Sequence, residues 1–346
     1  MSERRIFLDE GFGETRGVVT LDGAPERLIV RRDDDDPRLE LGARLAAVVA
    51  SVEPQIGAAF LDLGGGVQAM LAFRPEARPV RGAVLEVEVR GEPRRGKLAV
   101  VRPLGPGEGA PRLLAPAPDL AATLRALAKD AELVTGPAAR EAADAAELEA
   151  LEVLHPIPGG GSLAVEPTRA LTAIDVDLGA RQGSDSKRAA RAANLAAITL
   201  SARLLRLKSL GGLVVIDLAG RGQDAAALTA AARIAFAPDN PGVAISPVGR
   251  FGTLELSLPR RTRPLAERLC REDGQPTDRT LAARVLRAIA REAEADPGAR
   301  LRASCAPEVA AQAEALAAGL AARIGARFTL LADPARRRGS FDVGRA

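Results

Sequence analysis

Two short apolar runs end in carboxylates: Ala173-Ile174-Asp175-Val176-Asp177 and Leu213-Val214-Val215-Ile216-Asp217. A strand alternates its side chains between two faces, so Asp175 and Asp177 share a face. Asp217 follows Asp175 by 42 residues, with one helix-like segment between them. That is the spacing of a strand–helix–strand unit whose two strands lie side by side. Carboxylates gathered at such strand ends repel one another unless a cation neutralises them, and hard oxygen donors suit Mg²⁺ or Mn²⁺. A single aspartate in this setting is ordinarily a solvated turn residue. Two such runs flanking a basic helix favour the metal reading.

The elements that must position these groups follow from the pattern of the chain. The connecting helix is expected over about 186–208, with Leu195, Ile198, Ala202 and Leu205 on its buried side. Residues 181–208 carry Arg181, Lys187, Arg188, Arg191, Arg203, Arg206 and Lys208 against the one acid Asp185. A face this lopsided beside carboxylates is suited to a phosphate backbone. Upstream, residues 4–32 read as strands, and Asp33-Asp34-Asp35-Asp36 as an acidic turn. Five short β-like runs recur within about 38–102, the pattern of a small Greek-key barrel. A Pro/Gly-rich linker is expected over 103–118, then helices over about 119–130 and 137–153. Helix, strand, helix and strand follow over 281–331, and the arginine-rich residues 334–346 read as a disordered tail with non-specific affinity for nucleic acid.

Composition narrows the chemistry further. With 346 residues, 47% of them apolar, the chain can bury a core and form two or three domains. Basic residues number 48 against 45 acidic, with a pI near 9.3, and the clustering of arginine favours an anionic partner. His155 is the only histidine, which disfavours a Ser-His-Asp triad or a histidine pair; before Pro156 it reads as structural. Cys270 and Cys305 cannot make a disulfide framework or a four-cysteine zinc site. There is no Trp or Tyr and only eight Phe, so base stacking falls to Phe or to arginine planes. No apolar run approaches the length of a membrane span, and no signal-type segment follows Met1, so a soluble cytoplasmic protein is expected.

Taken together, several stretches resemble the ribonuclease E/G family. The strongest is Ala170 to Asp177, followed by Asn194-Leu195-Ala196-Ala197 and by Leu205 to Asp217; Gly249 to Ser257 and Gly57 to Gly64 add to it. The resemblance covers about residues 1–105 and 160–275. It implies a mixed α/β, multidomain fold: an RNase-H-like N-terminal part (1–35) with an inserted OB-type β-barrel (36–103), a reduced linker segment (104–160), a DNase-I-like or RNase-H-like α/β catalytic region (161–275), a small C-terminal α/β unit (276–333) and the basic tail (334–346). It also implies a Mg²⁺-dependent endoribonuclease acting on single-stranded RNA. Asp175 and Asp217 correspond to the family's metal-binding aspartates, and Asp177 stands where the family has a supporting Asn. Phe60 matches a base-stacking aromatic, and Met70 replaces a second ring. Arg94, Arg95 and Lys97 occupy a basic contact region, with Arg181, Lys187, Arg188, Arg191 and Arg250 as further RNA contacts.

Three departures bear on these implications. Residues 104–160 contain no RTAG-like motif, so no sensing of a 5′-monophosphate is expected. The family's zinc link is represented only by Cys270 to Gly274, with Asp273 at the second cysteine position. Zinc and a zinc-linked tetramer are therefore not expected, while a homodimer remains compatible. Leu218-Ala219-Gly220 also lacks an acid that the family places after the second aspartate. Two other readings stay open: an RNA-binding protein of the same family that has lost efficient cleavage, and a metal-dependent phosphoryl-transfer enzyme acting on DNA or nucleotides. The absence of a Walker-type loop weighs against a nucleotidase.

Overall fold

The structure, a computed structural model, describes residues 3–179, 186–220 and 224–346. The chain opens with an antiparallel meander, β1 (Arg4–Glu10), β2 (Glu14–Leu21) and β3 (Ala24–Arg32). It then leaves this sheet to build a barrel from β4 (Arg44–Glu53), β5 (Ala58–Asp62), β6 (Gln68–Ala72), β7 (Val84–Gly91) and β8 (Ala99–Pro106). Pairings β4–β5, β5–β6, β6–β8, β8–β7 and β7–β4 close the ring, consistent with an OB-type fold. Alternate residues such as Leu45, Val49, Leu61, Leu71, Val87 and Val101 fill its interior.

Residues 104–160, expected as a short linker followed by two helices, hold both helices and also contribute strands to the barrel and the first sheet. β9 (Arg112–Ala115) adds to β4 on the barrel. Helix α1 (Leu120–Leu127) returns to the first sheet, packing Leu120 and Leu124 on Ile6 and Val19. β10 (Leu133–Val134) then pairs in parallel with β1. Helix α2 (Pro137–Leu151) covers the other face with a stripe of Ala139, Ala143, Ala146 and Ala150, small side chains that let the helix approach Phe7, Val18, Leu28 and Val30 closely. The segment's apolar residues are spaced for two sheet faces, which their composition alone conceals.

A buried ionic cluster fixes α2 against the rest. Arg16, 1% exposed, donates to Asp9, Asp144 and Glu147. Arg287 donates to Glu14 and Glu147, and Arg284 to Glu147. Burial pushes the Glu147 carboxyl up, but Arg287, Arg284 and Arg16 outweigh it and hold the group below its ordinary range.

The second sheet follows: β11 (Leu154–Pro156), β12 (Ser162–Pro167), β13 (Thr172–Asp177), α3 (Ser186–Leu207), β14 (Gly212–Asp217), α4 (Ala225–Ala235), β15 (Ala244–Ile245) and β16 (Thr253–Leu258). Its order is β11-β12-β13-β14-β16-β15, with β13 and β14 parallel. Leu163, Val165, Ile174, Val176, Val214, Ile216, Leu254 and Leu256 form the buried face, packed with Ala197, Ile198, Ala202, Leu205 and Leu228 of α3 and α4. Lys208, just beyond α3, donates from Nζ to the carbonyls of Glu149, Ala150 and Glu152 at the end of α2. Burial pulls its ammonium down to about 8.

After the short α5 (Leu265–Leu269), helices α6 (Asp278–Ala295) and α7 (Pro307–Ile324) pack on a small sheet of β17 (Leu301–Cys305), β18 (Phe328–Ala332) and β19 (Phe341–Arg345). Phe12, from the β1–β2 turn, is buried in this unit's core. The expected disordered tail is corrected here. Phe341–Arg345 pairs antiparallel with β17, because Phe341 and Val343 pack on the small core while Asp342 between them faces out. Among the described residues, no helix is long and apolar enough to cross a membrane.

Candidate active site

The register of β13 and β14 decides the geometry of the acidic runs. Ile174 lies opposite Ile216 and Asp175 opposite Asp217. Partners on adjacent parallel strands share a face, about 4.8 Å apart along the hydrogen-bonding direction. Ile174 and Ile216 point into the core, so Asp175 and Asp217 project together from the solvent face. Ala164 of β12 flanks the pair on one side and Thr253 of β16 on the other. Both carboxylates sit at the carboxyl ends of their strands, where open α/β sheets place their ligands.

Asp177 shares this face but lies one row further out, opposite Ser162. Its Oδ1 accepts from the Gly179 amide at 2.9 Å. Among the described residues no group of three or more His, Cys, Asp or Glu is arranged to hold a metal ion. The donor set is thus two adjacent, exposed carboxylates. That fits Mg²⁺, which keeps several waters and commonly takes one or two protein carboxylates together with substrate phosphate.

A group with no role expected from the sequence fixes the end of β14. Asn194 is 0% exposed within α3. Its Nδ2 donates to the Ala219 carbonyl at 2.9 Å, and its Oδ1 accepts from the Ala219 amide at 3.0 Å. One side-chain amide therefore clamps the backbone two residues beyond Asp217. The position of Asn194, one residue from Leu195 and four from Ile198 on the helix's expected buried side, was the signal available in the sequence.

The basic candidates divide into two sets. Lys187, Arg188 and Arg191 lie exposed on the first turns of α3, the end that follows β13 and so adjoins the carboxylates. Arg191 lies 3.4 Å from Asp224, the N-cap of α4. Arg250 sits on the β15–β16 hairpin, near Thr253 and hence near Asp217. Arg181 lies outside the described residues. Arg94, Arg95 and Lys97 belong to the β7–β8 turn, which docks at the other end of the sheet. Glu92 N donates to Arg261 O, and Arg95 N to the Glu267 carboxylate. Arg260 in turn donates to the Gly211 carbonyl. Gly212 has a φ of +93°, a conformation that glycine adopts without the strain other residues would meet, and the Arg260 guanidinium lies against it. Asp217 lies five residues along β14 from Gly212, about 16 Å at the rise of an extended strand.

Phe60 and Met70 are direct partners across β5 and β6, and Val100 of β8 lies beside Met70. All three are half-buried and stand outside the barrel core. The alternation that sends Ala59 and Leu61 inward turns Phe60 out.

Against this geometry, the Ribonuclease E/G family matches residues 130–261. Ribonuclease E of Haemophilus influenzae is 37% identical over 147 residues, covering 40% of this chain and 16% of that protein. Ribonuclease E of Escherichia coli is 40% identical over 114 residues, covering 32% and 11%. The chloroplastic ribonuclease E/G-like protein of Arabidopsis thaliana is 33% identical over 114 residues, again 32% and 11%. The matched stretch thus spans less than a fifth of each of these relatives.

Proposed function

We propose that this chain, whose residues 130–261 match the Ribonuclease E/G family, is a Mg²⁺-dependent endoribonuclease hydrolysing phosphodiester bonds in single-stranded RNA. The observation that carries this reading is the registered pair Asp175 and Asp217 on one exposed face. Asp175 and Asp217 would hold the ion, with Asp177 on the same face as a further candidate ligand. Bound there, Mg²⁺ would polarise the scissile phosphate and lower the pKa of the attacking water. Lys187, Arg188, Arg191 and Arg250 supply cations for phosphates at the same end of the sheet. Asn194 holds the backbone that follows Asp217, so that the carboxylate keeps its aim. Phe60 and Met70 offer an outward surface for bases on the barrel, with Arg94, Arg95 and Lys97 as a separate basic contact.

The same reading makes the first sheet and α2 an RNase-H-like part interrupted by the barrel. The return of α1 and β10 to that sheet supports it. Residues 104–160 are occupied by packing on the sheet and barrel, which fits a chain that does not distinguish a 5′-monophosphate from a 5′-hydroxyl. An RNA-binding protein with weak cleavage is the second reading, favoured by the lack of a third converging carboxylate among the described residues.

Incubation with a 5′-labelled single-stranded RNA, in Mg²⁺ or EDTA, separates the two. Metal-dependent cuts lost in Asp175→Asn and in Asp217→Asn are the expected result. Tight binding without cuts would favour the second reading, and cleavage surviving both substitutions would overturn the site.

A further inference from the structure

The chain has eight Phe and no other aromatic, and it leaves one of them almost bare. Phe251 is 78% exposed, more than any other large apolar side chain among the described residues. Phe7, Phe12 and Phe236, by contrast, are buried. Lone exposed hydrophobics are common, so exposure alone assigns nothing. The placement is what matters. Phe251 occupies the tip of the β15–β16 hairpin, closed by Gly249 N to Thr253 O at 2.8 Å and Gly252 N to Gly249 O at 3.0 Å. Leu218 N donates to Gly252 O at 3.1 Å, which ties the tip to the residue after Asp217. Thr253 is itself the register partner of Asp217. The turn that carries the ring is therefore anchored to the strand that carries Asp217. The Arg250 guanidinium lies 4.6 Å from the ring centroid.

We propose that Phe251 is a stacking platform for an unpaired base of the nucleotide next to the phosphodiester held at Asp175 and Asp217, with Arg250 placed for the adjoining phosphate. This rests on the ribonuclease reading and adds a determinant of substrate choice to it. The neighbours of Phe251 in the turn are Gly249, Arg250 and Gly252, so the ring stands apart from any broad apolar patch of the kind that docks a protein. A single ring with a cation matches a nucleobase with its phosphate. A base within a duplex already has both faces covered, so the platform would select a strand that is unpaired at the cleavage point.

The test uses the full-length protein and a ten-nucleotide single-stranded RNA carrying 2-aminopurine at successive positions. Binding and fluorescence are read in EDTA, cleavage in Mg²⁺. Stacking predicts quenching of the probe at one position, lost in Phe251→Ala and kept in Phe251→Trp. Affinity and kcat/KM should fall about 5- to 150-fold in Phe251→Ala, the equivalent of roughly 1–3 kcal/mol for one stacked base, and recover with Trp. If the wild type cleaves and Phe251→Ala binds and cleaves equally well, the platform is refuted while the ribonuclease reading stands. Failure of Trp to restore function, with thermal melts unchanged, also refutes the platform. If the wild type cleaves nothing in Mg²⁺, both fall together.

Discussion

Replacing Asn194 tests the link between helix α3 and the carboxylate on β14. Asn194→Ala removes two hydrogen bonds to Ala219, at 2.9 and 3.0 Å, from a side chain that is 0% exposed. At about 0.5–1.5 kcal/mol for each bond, the expected loss is roughly 1–3 kcal/mol. Asn194→Asp is sharper. It keeps the acceptor for the Ala219 amide but sets a second oxygen against the Ala219 carbonyl, inside the protein. Burial raises the folded pKa of such a carboxyl above its unfolded value of about 3.9. Between that value and the folded pKa, the native state holds a proton that the unfolded state has released. Stability therefore falls as pH rises through this window. At pH 7 the Asp variant should be less stable than the Ala variant. Near pH 4 the protonated Asp can donate to the Ala219 carbonyl, and the order should reverse. Urea titrations followed by far-UV circular dichroism read this directly, since a chain without Trp or Tyr has no useful intrinsic fluorescence. If the site reading holds, Asn194→Ala also lowers kcat by about 10-fold or more with little change in KM, because the aim of Asp217 is lost while the RNA contacts remain. A cost below about 0.5 kcal/mol, or an Asp variant as stable as the Ala variant at pH 7, would refute the clamp.

Other perturbations follow from the same geometry. Arg16→Met leaves Asp9 buried without its partner and should cost about 3–5 kcal/mol, read as a loss of thermal stability that Arg16→Lys does not restore, since one ammonium cannot span Asp9, Asp144 and Glu147. Lys208, pulled by burial to about 8 from 10.5, gives up its proton in the folded state before the unfolded state does. The wild type should therefore gain stability relative to Lys208→Met as pH rises from 8 to 10.5, measured by chemical denaturation at pH 7.5 and 10. Lys187→Ala with Arg191→Ala should weaken RNA binding in EDTA and reduce the slope of log affinity against log salt by about 1.4, because each phosphate neutralised on a single strand accounts for roughly 0.7 of that slope. An unchanged slope would remove these two from the interface.

The acidic runs, the connecting helix and the barrel strands were legible in the sequence because each depends on short-range periodicity. The period of two put Asp175 and Asp177 on one face. The stripe from Leu195 to Leu205 set the buried side of α3, observed over Ser186–Leu207. Short β-like runs punctuated by glycine marked the barrel strands. What the sequence left open were pairings between distant residues. Whether Asp175 faces Asp217 or is offset by two residues depends on strand register, which is set by how Ile174 and Ile216 pack on α3 and α4. Local pattern marked the two helices within 104–160, but where they dock, and the strands added by this segment and by the tail, depended on which sheets had open edges and faces. Asn194 stood in the sequence as part of a family-like stretch with no role of its own until the fold brought Ala219 to it, 25 residues away. Phe251 was one phenylalanine among eight until the hairpin set it beside Asp217. Side-chain type and local periodicity fixed which groups could do the chemistry; packing of apolar faces across the chain fixed which of them meet.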